Sequence, residues 1–139
     1  MVELLDSVCD TLAPGAGEAG VAHFIDDQLA KPHRDCLLIV RYLSVKVPFK
    51  EFYMSALGAI DHVARKEFGA PFQQLSDERK AAFVTKLRDG NFQSWRGPPS
   101  QRVYFVLRSD AVDVVYGTEE GFENLGVPYM PHIWPDARW

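Results

Sequence analysis

The chain has 139 residues, near the commonest size of a single domain, so one core burying roughly two-thirds of the unfolded chain's surface is expected. Hydrophobic residues make up 47% and charged residues 24%, which excludes a disordered or low-complexity chain. A net charge of -4 removes the basic footprint of a nucleic-acid binder, and the longest apolar run, "CLLIV" at 36–40, is far short of the ~18 residues a bilayer-spanning helix needs.

Taken in chain order, the elements read as helices almost throughout. Val2, Leu4, Leu5, Val8, Cys9 and Leu12 recur at three- and four-residue intervals and predict a first helix that stops at Pro14-Gly15. Glu18 is read as the start of a second, with a face of Val21, Phe24, Ile25, Gln28 and Leu29; Lys31 before Pro32 closes it, because a residue preceding proline is pushed out of the helical region. "DCLLIVRYLSVKV", residues 35–47, combines the β-branched residues of a strand with a helical spacing of Leu37, Val40, Arg41 and Ser44, and is expected to be helical.

Phe49 to Phe68 carries one apolar face over five turns, through Phe52, Tyr53, Ala56, Leu57, Ile60, Val63 and Ala64, with Gly69 as its stop. It is expected to be the central helix of the core. Ser76, with Asp77 and Glu78 behind it, marks another helix start, where acids meet the positive end of the helix dipole; Gly90 ends that helix, whose buried face is Phe83, Val84, Leu87 and the stem of Lys80. "SWRGPPS" at 94–100 is a rigid loop. A helix follows over 101–117 through Val103, Val106, Leu107, Ala111, Val114 and Val115, and Thr118-Glu119-Glu120 caps a short last one that Gly126 releases.

The remaining segment, "VPYMPHIWPDARW", spaces Pro128, Pro131 and Pro135 among Tyr129, Met130, Ile133, Trp134 and Trp139. Prolines at that spacing forbid a helix interior or a central strand, so these large side chains lie either across their own domain or on another protein. The organisation expected is therefore all-α: a domain of about five to seven helices over 1–126 and an extended Pro/aromatic arm over 127–139.

Few residues offer chemistry. His23, Asp26 and Asp27 sit three and four apart, so one helix face could present imidazole and carboxylate ligands to a metal, or simply be solvated. His62 belongs to the polar side of the long helix, His33 flanks a proline loop, and His132 lies in the arm. Cys9 and Cys36 are two thiols without CxxC spacing, either buried and free or joined as one bridge. No G-x-S-x-G, phosphate-binding or strand-led dinucleotide motif occurs; "GAGEAG" at 15–20 joins two helices, and Glu18 already supplies negative charge there. The residues themselves thus leave open a stand-alone metal-binding domain or enzyme built on His23, His62 and His132, a generic helical adaptor, or a small helical chain whose arm docks on a partner.

Three blocks carry a resemblance. "LLDSVCDTLAPGAGEAGVAHFIDDQLA", "FYMSALGAIDHVARKEFGAPFQQLSDERKAAFVTKL" and "DAVDVVYGTEEGFENLGVPYMPH", in that order, resemble the small (gamma, or subunit 3) chain of gluconate 2-dehydrogenase and of related FAD-dependent glucose and glucoside dehydrogenases. The resemblance implies an accessory chain with no catalytic, metal or cofactor residues of its own, bound to a large flavoprotein of the glucose-methanol-choline type. That partner holds FAD and passes electrons to an iron–sulfur cluster or a c-type cytochrome; the small chain assists its folding, maturation and export. The expected partner interface is Tyr129, Met130, Pro131, His132, Trp134 and Trp139. Many members begin with a twin-arginine export segment, whereas this sequence starts in its first helix; it is expected in the periplasm if a leader is removed or export is with the partner, and otherwise in the cytoplasm. The turn before "GEAGV" is also shorter than in many relatives, so contacts made there are not carried over.

Overall fold

A computed structural model of the chain describes residues 1–129, and every regular element among them is helical. Six α-helices follow one another: α1 (Val2–Leu12), α2 (Val21–Ala30), α3 (Phe49–Phe68), α4 (Asp77–Asp89), α5 (Ser100–Tyr116) and α6 (Glu119–Asn124), with 3-10 turns at Ile39–Tyr42 and Phe72–Gln74. The all-α expectation and the helix number agree with this. Where apolar stripe and punctuation coincide, the boundaries agree as well. α3 spans the residues expected of it and stops at Gly69, whose φ of 75° lies in the left-handed region that glycine enters without steric cost. α4 follows Ser76, carries Asp77 and Glu78 in its first turn, and ends at Gly90.

Two expectations fail. The second helix begins at Val21 and not at Glu18, because Gly20 sits at φ 83° and breaks the helical path; residues before it form turns, and the Gly17 N–H is donated to Asp10 Oδ1 of α1 at 2.8 Å. The first turn of α2 therefore holds no acid. The helix expected over 35–47 is absent apart from the short turn at Ile39–Tyr42, and Cys36, expected in a helical setting, lies in non-helical chain. Around this turn the side chains alternate: Cys36, Leu38 and Val40 are buried, while Leu37 points outward. Over 36–38 that is the alternation of extended chain, while the two β-branched residues of "CLLIV", Ile39 and Val40, open the 3-10 turn.

The core is gathered by α3, which buries the most residues of any helix, and by α1 and α5, which each meet five other elements. α5 meets α1, α2, α4, α6 and the Ile39–Tyr42 turn, and Val103, Val106, Leu107 and Ala111 are fully buried along it. α3 buries nine residues, packs against α1 and the Phe72–Gln74 turn, and reaches α5 through Tyr53. Beside it runs an aromatic cluster in which Phe83 is packed against Phe68, Phe72 and Phe92 at centroid separations of 5.2, 5.1 and 4.8 Å, and Phe92 stacks on Trp95. The indole N–H of Trp95 is donated to the Pro98 carbonyl at 2.7 Å, which fixes the loop expected from "SWRGPPS". Glu67, near the end of α3, ties in the same loop by accepting from the N–H groups of Gln93 (3.0 Å) and Ser94 (2.8 Å) and the Ser94 hydroxyl (2.6 Å).

α6 begins at Thr118, whose Oγ1 accepts the Gly121 N–H at 3.0 Å, and it folds back on α5. Gly121 is required by closeness: a Cβ there would meet the Tyr116 Cα at 2.7 Å. Among the described residues no helix is long and apolar enough to cross a membrane.

Candidate partner-binding surface

Residues 31–48 form an irregular strap between α2 and α3, and three buried residues hold it to the core: Cys36 is 1% exposed, Leu38 and Val40 0%. Extended chain without a neighbouring strand needs other acceptors for its backbone N–H groups, since a buried unpaired donor costs as much as a lost hydrogen bond. Two side chains supply them. Gln28, itself buried on α2, accepts the Leu37 N–H at 2.8 Å, and Asp110 of α5 accepts the Ile39 N–H at 3.4 Å. Arg41 closes the turn by donating to the Cys36 carbonyl at 3.2 Å.

Asp110 is fully buried, and its other oxygen accepts the Tyr53 hydroxyl at 2.6 Å. Burial pushes its pKa up to about 7, against the pull of the Tyr53 hydroxyl and the Ile39 N–H, while the charge of Asp113 on the same helix adds to the rise. The same burial, with Asp110 alongside, raises the Tyr53 phenol far above its ordinary range. One side chain thus joins α3, α5 and the strap. The sequence reading missed it, although its signal was present: Val103, Val106, Leu107, Asp110, Ala111 and Val114 form one three- and four-spaced stripe, so a carboxylate at 110 has to be buried with its neighbours.

What the strap turns outward is apolar and basic. Leu37, Tyr42 and Val47 are 56%, 67% and 53% exposed, and the Arg41 guanidinium lies over the Tyr42 ring at 5.5 Å. Between the end of α2, the strap and the start of α3 opens a cavity of about 350 Å³, lined by the apolar Leu29, Cys36, Val47, Pro48 and Phe49 and by Gln28, Lys31, His33 and Lys50.

The other expected site residues are placed as follows. His23, Asp26 and Asp27 share the exposed face of α2, where Asp27 pairs with Lys31 at 2.7 Å and accepts from Gln28 Nε2 at 3.1 Å. Lys31 holds the Asp27 carboxyl below the usual carboxylate range. His62 is exposed on α3, and among the described residues no group of three or more His, Cys, Asp or Glu is arranged to hold a metal ion. Cys9 and Cys36 are both buried thiols, unbridged in this structure; the Cys9 Sγ lies 3.9 Å from the Leu107 carbonyl, and burial raises its pKa strongly. Tyr129 is half-buried, its ring edge-on to Phe122 of α6 at 5.1 Å. Met130, Pro131, His132, Trp134 and Trp139 lie outside the described residues.

Compared with known proteins, residues 1–135 match a family model described as gluconate 2-dehydrogenase subunit 3. No curated protein and no solved structure matches the chain.

Proposed function

The chain belongs to the gluconate 2-dehydrogenase subunit 3 family, and on that premise we propose that it is the non-catalytic small subunit of an FAD-dependent sugar or sugar-acid dehydrogenase complex. In this reading it binds the large glucose-methanol-choline-type flavoprotein and supports its folding, maturation or export. FAD, and any iron–sulfur cluster or c-type haem in the electron path, belongs to the partner subunits. The observation that carries the reading is the extent of the match, 135 of 139 residues, which takes in all six helices, the strap and most of the arm. The strap adds support, because a small domain that fixes Leu37, Tyr42 and Val47 outward leaves them for a partner to cover.

The arm is part of the same proposal: Tyr129, Met130, Pro131, His132, Trp134 and Trp139 lie over the flavoprotein. A partner that binds only the folded form stabilises that form by mass action, so each subunit protects the other. The complex works in the periplasm when it is exported with its partner or from a removed leader, and otherwise in the cytoplasm.

The test is to produce the large subunit with and without this chain in the same host. The reading expects soluble, flavin-loaded large subunit to fall several-fold when the small chain is missing, and to recover when it is supplied from a second plasmid. Equal yields of active flavoprotein in both cultures would refute the supporting role. Deleting residues 127–139 tests the arm, and an intact complex after that deletion would remove the arm from the interface.

A further inference from the structure

We propose that the strap, together with Phe49 and Lys50 at the start of α3, docks on an acidic face of the large partner subunit, with an apolar side chain of that face entering the cavity beside it. This rests on the accessory-subunit reading and adds to it the surface and the chemistry of its counterpart. The first observation is charge. The strap and the first two residues of α3, residues 31–50, hold Lys31, Arg34, Arg41, Lys46 and Lys50 against the single acid Asp35, whereas the other residues of the chain hold ten Lys and Arg against eighteen acids. The strap is a basic island on an acidic protein.

Two of its cations are neutralised in place, Lys31 by Asp27 at 2.7 Å and Arg34 by Asp35 at 3.8 Å. Arg41, Lys46 and Lys50 have no ion-pair partner among the described residues. They flank the exposed Leu37, Tyr42 and Val47, so apolar area and uncompensated positive charge occupy one segment. An apolar centre with a charged rim is the ordinary build of a protein interface, and the sign of the rim selects an acidic counterpart.

The second observation is shape. The strap does not owe its form to a partner, because Cys36, Leu38 and Val40 are buried and the Leu37 and Ile39 N–H groups are held by Gln28 and Asp110. Its cavity of about 350 Å³ is open and has Leu29, Val47 and Phe49 among its lining together with the cations Lys31 and Lys50, room for a side chain of the partner. A preformed concave site of this kind fits a shaped protein face better than an anionic bilayer, which is read by denser runs of Lys and Arg on an amphipathic helix.

The 139-residue chain is titrated against its large subunit at two salt concentrations, beside two strap variants and one control. Lys46→Glu/Lys50→Glu reverses charge on the strap and the start of α3, Leu37→Ser/Tyr42→Ser removes the strap's apolar centre, and Lys66→Glu/Arg102→Glu makes the same charge change on exposed helical positions elsewhere. The strap variants are expected to weaken binding by roughly 10- to 100-fold, the charge reversal also flattening the salt dependence, while the control stays within about threefold. All positions are exposed, so melting temperatures report folding independently. Unchanged affinity of both strap variants, in a complex that still forms, overturns the docking proposal and leaves the accessory-subunit reading standing. Absence of a complex with the unaltered chain overturns both. Binding of the unaltered chain to phosphatidylglycerol vesicles, lost on charge reversal while flavoprotein binding persists, assigns the strap to lipid and also overturns the proposal.

Discussion

Replacing Asp110 by Asn removes a buried proton-binding group while keeping its size, and its consequence is a change in how stability depends on pH. In the folded chain Asp110 titrates near 7 and in the unfolded chain near 3.8. Between those values the native state binds the extra proton, so stability falls as pH rises through the window and levels off above it. At 1.36 kcal/mol per unit, a rise of about three units amounts to ~4 kcal/mol between pH 4 and pH 8, a large share of the 5–15 kcal/mol that holds an ordinary domain. The exposed carboxylates that are stabilised in the native state, such as Asp27, slope the other way, but they are common to both proteins and cancel in the comparison. Urea unfolding of wild type and Asp110→Asn at half-unit steps from pH 4.5 to 8.5 gives the difference directly. Wild type should lose ground to the variant steadily up to about pH 7, and curves that stay parallel across the range would refute a protonated Asp110 at the junction of α3, α5 and the strap.

Three further outcomes follow from the packing. Phe83→Ala removes a ring with no solvent exposure from between Phe68, Phe72 and Phe92, and should cost about 3–5 kcal/mol in urea unfolding. Glu67→Ala strips three donors, on Gln93 and Ser94, of their acceptor, and should lower stability by about 1–3 kcal/mol at pH 7 with a smaller penalty at pH 3. Although burial raises the Glu67 pKa, the Ser94 and Gln93 donors and Lys86 hold it below the usual range; its contribution is therefore present above the unfolded pKa of 4.5 and lost as pH falls through the native one. Cys9, buried and with a raised pKa, should resist thiol reagents in the native chain and react once denaturant is added, as followed by mass spectrometry; rapid native labelling would contradict its placement.

Local signals were enough wherever apolar stripe and punctuation agreed. Phe49 to Phe68 with its terminal Gly69, and Ser76 to Gly90 around Phe83 and Leu87, can be read from neighbouring residues alone, because helix faces and caps are short-range features. The strap could not be read that way. Its backbone donors are satisfied by Gln28, nine residues from Leu37, and by Asp110, 71 residues from Ile39, and no window over "CLLIV" contains those partners. The late start of α2 turned on one left-handed glycine, Gly20, in a stretch, 15–20, where four other Gly and Ala residues leave nothing in the sequence to single it out. Asp110 is the opposite case: its place on the apolar stripe of α5 was legible, and reading it there predicts a buried carboxylate with a partner, though not that the partner is Tyr53.

The central claim, that this chain is one subunit of a flavoprotein dehydrogenase, is tested most directly by tagging it in its native cells and purifying it gently. The visible spectrum and the masses of the copurifying chains are then recorded from the same sample. The account predicts a larger polypeptide in fixed proportion to this one, a flavin absorption band, and reduction of a dye when a sugar or sugar acid is added. A colourless chain recovered alone from those cells would contradict it.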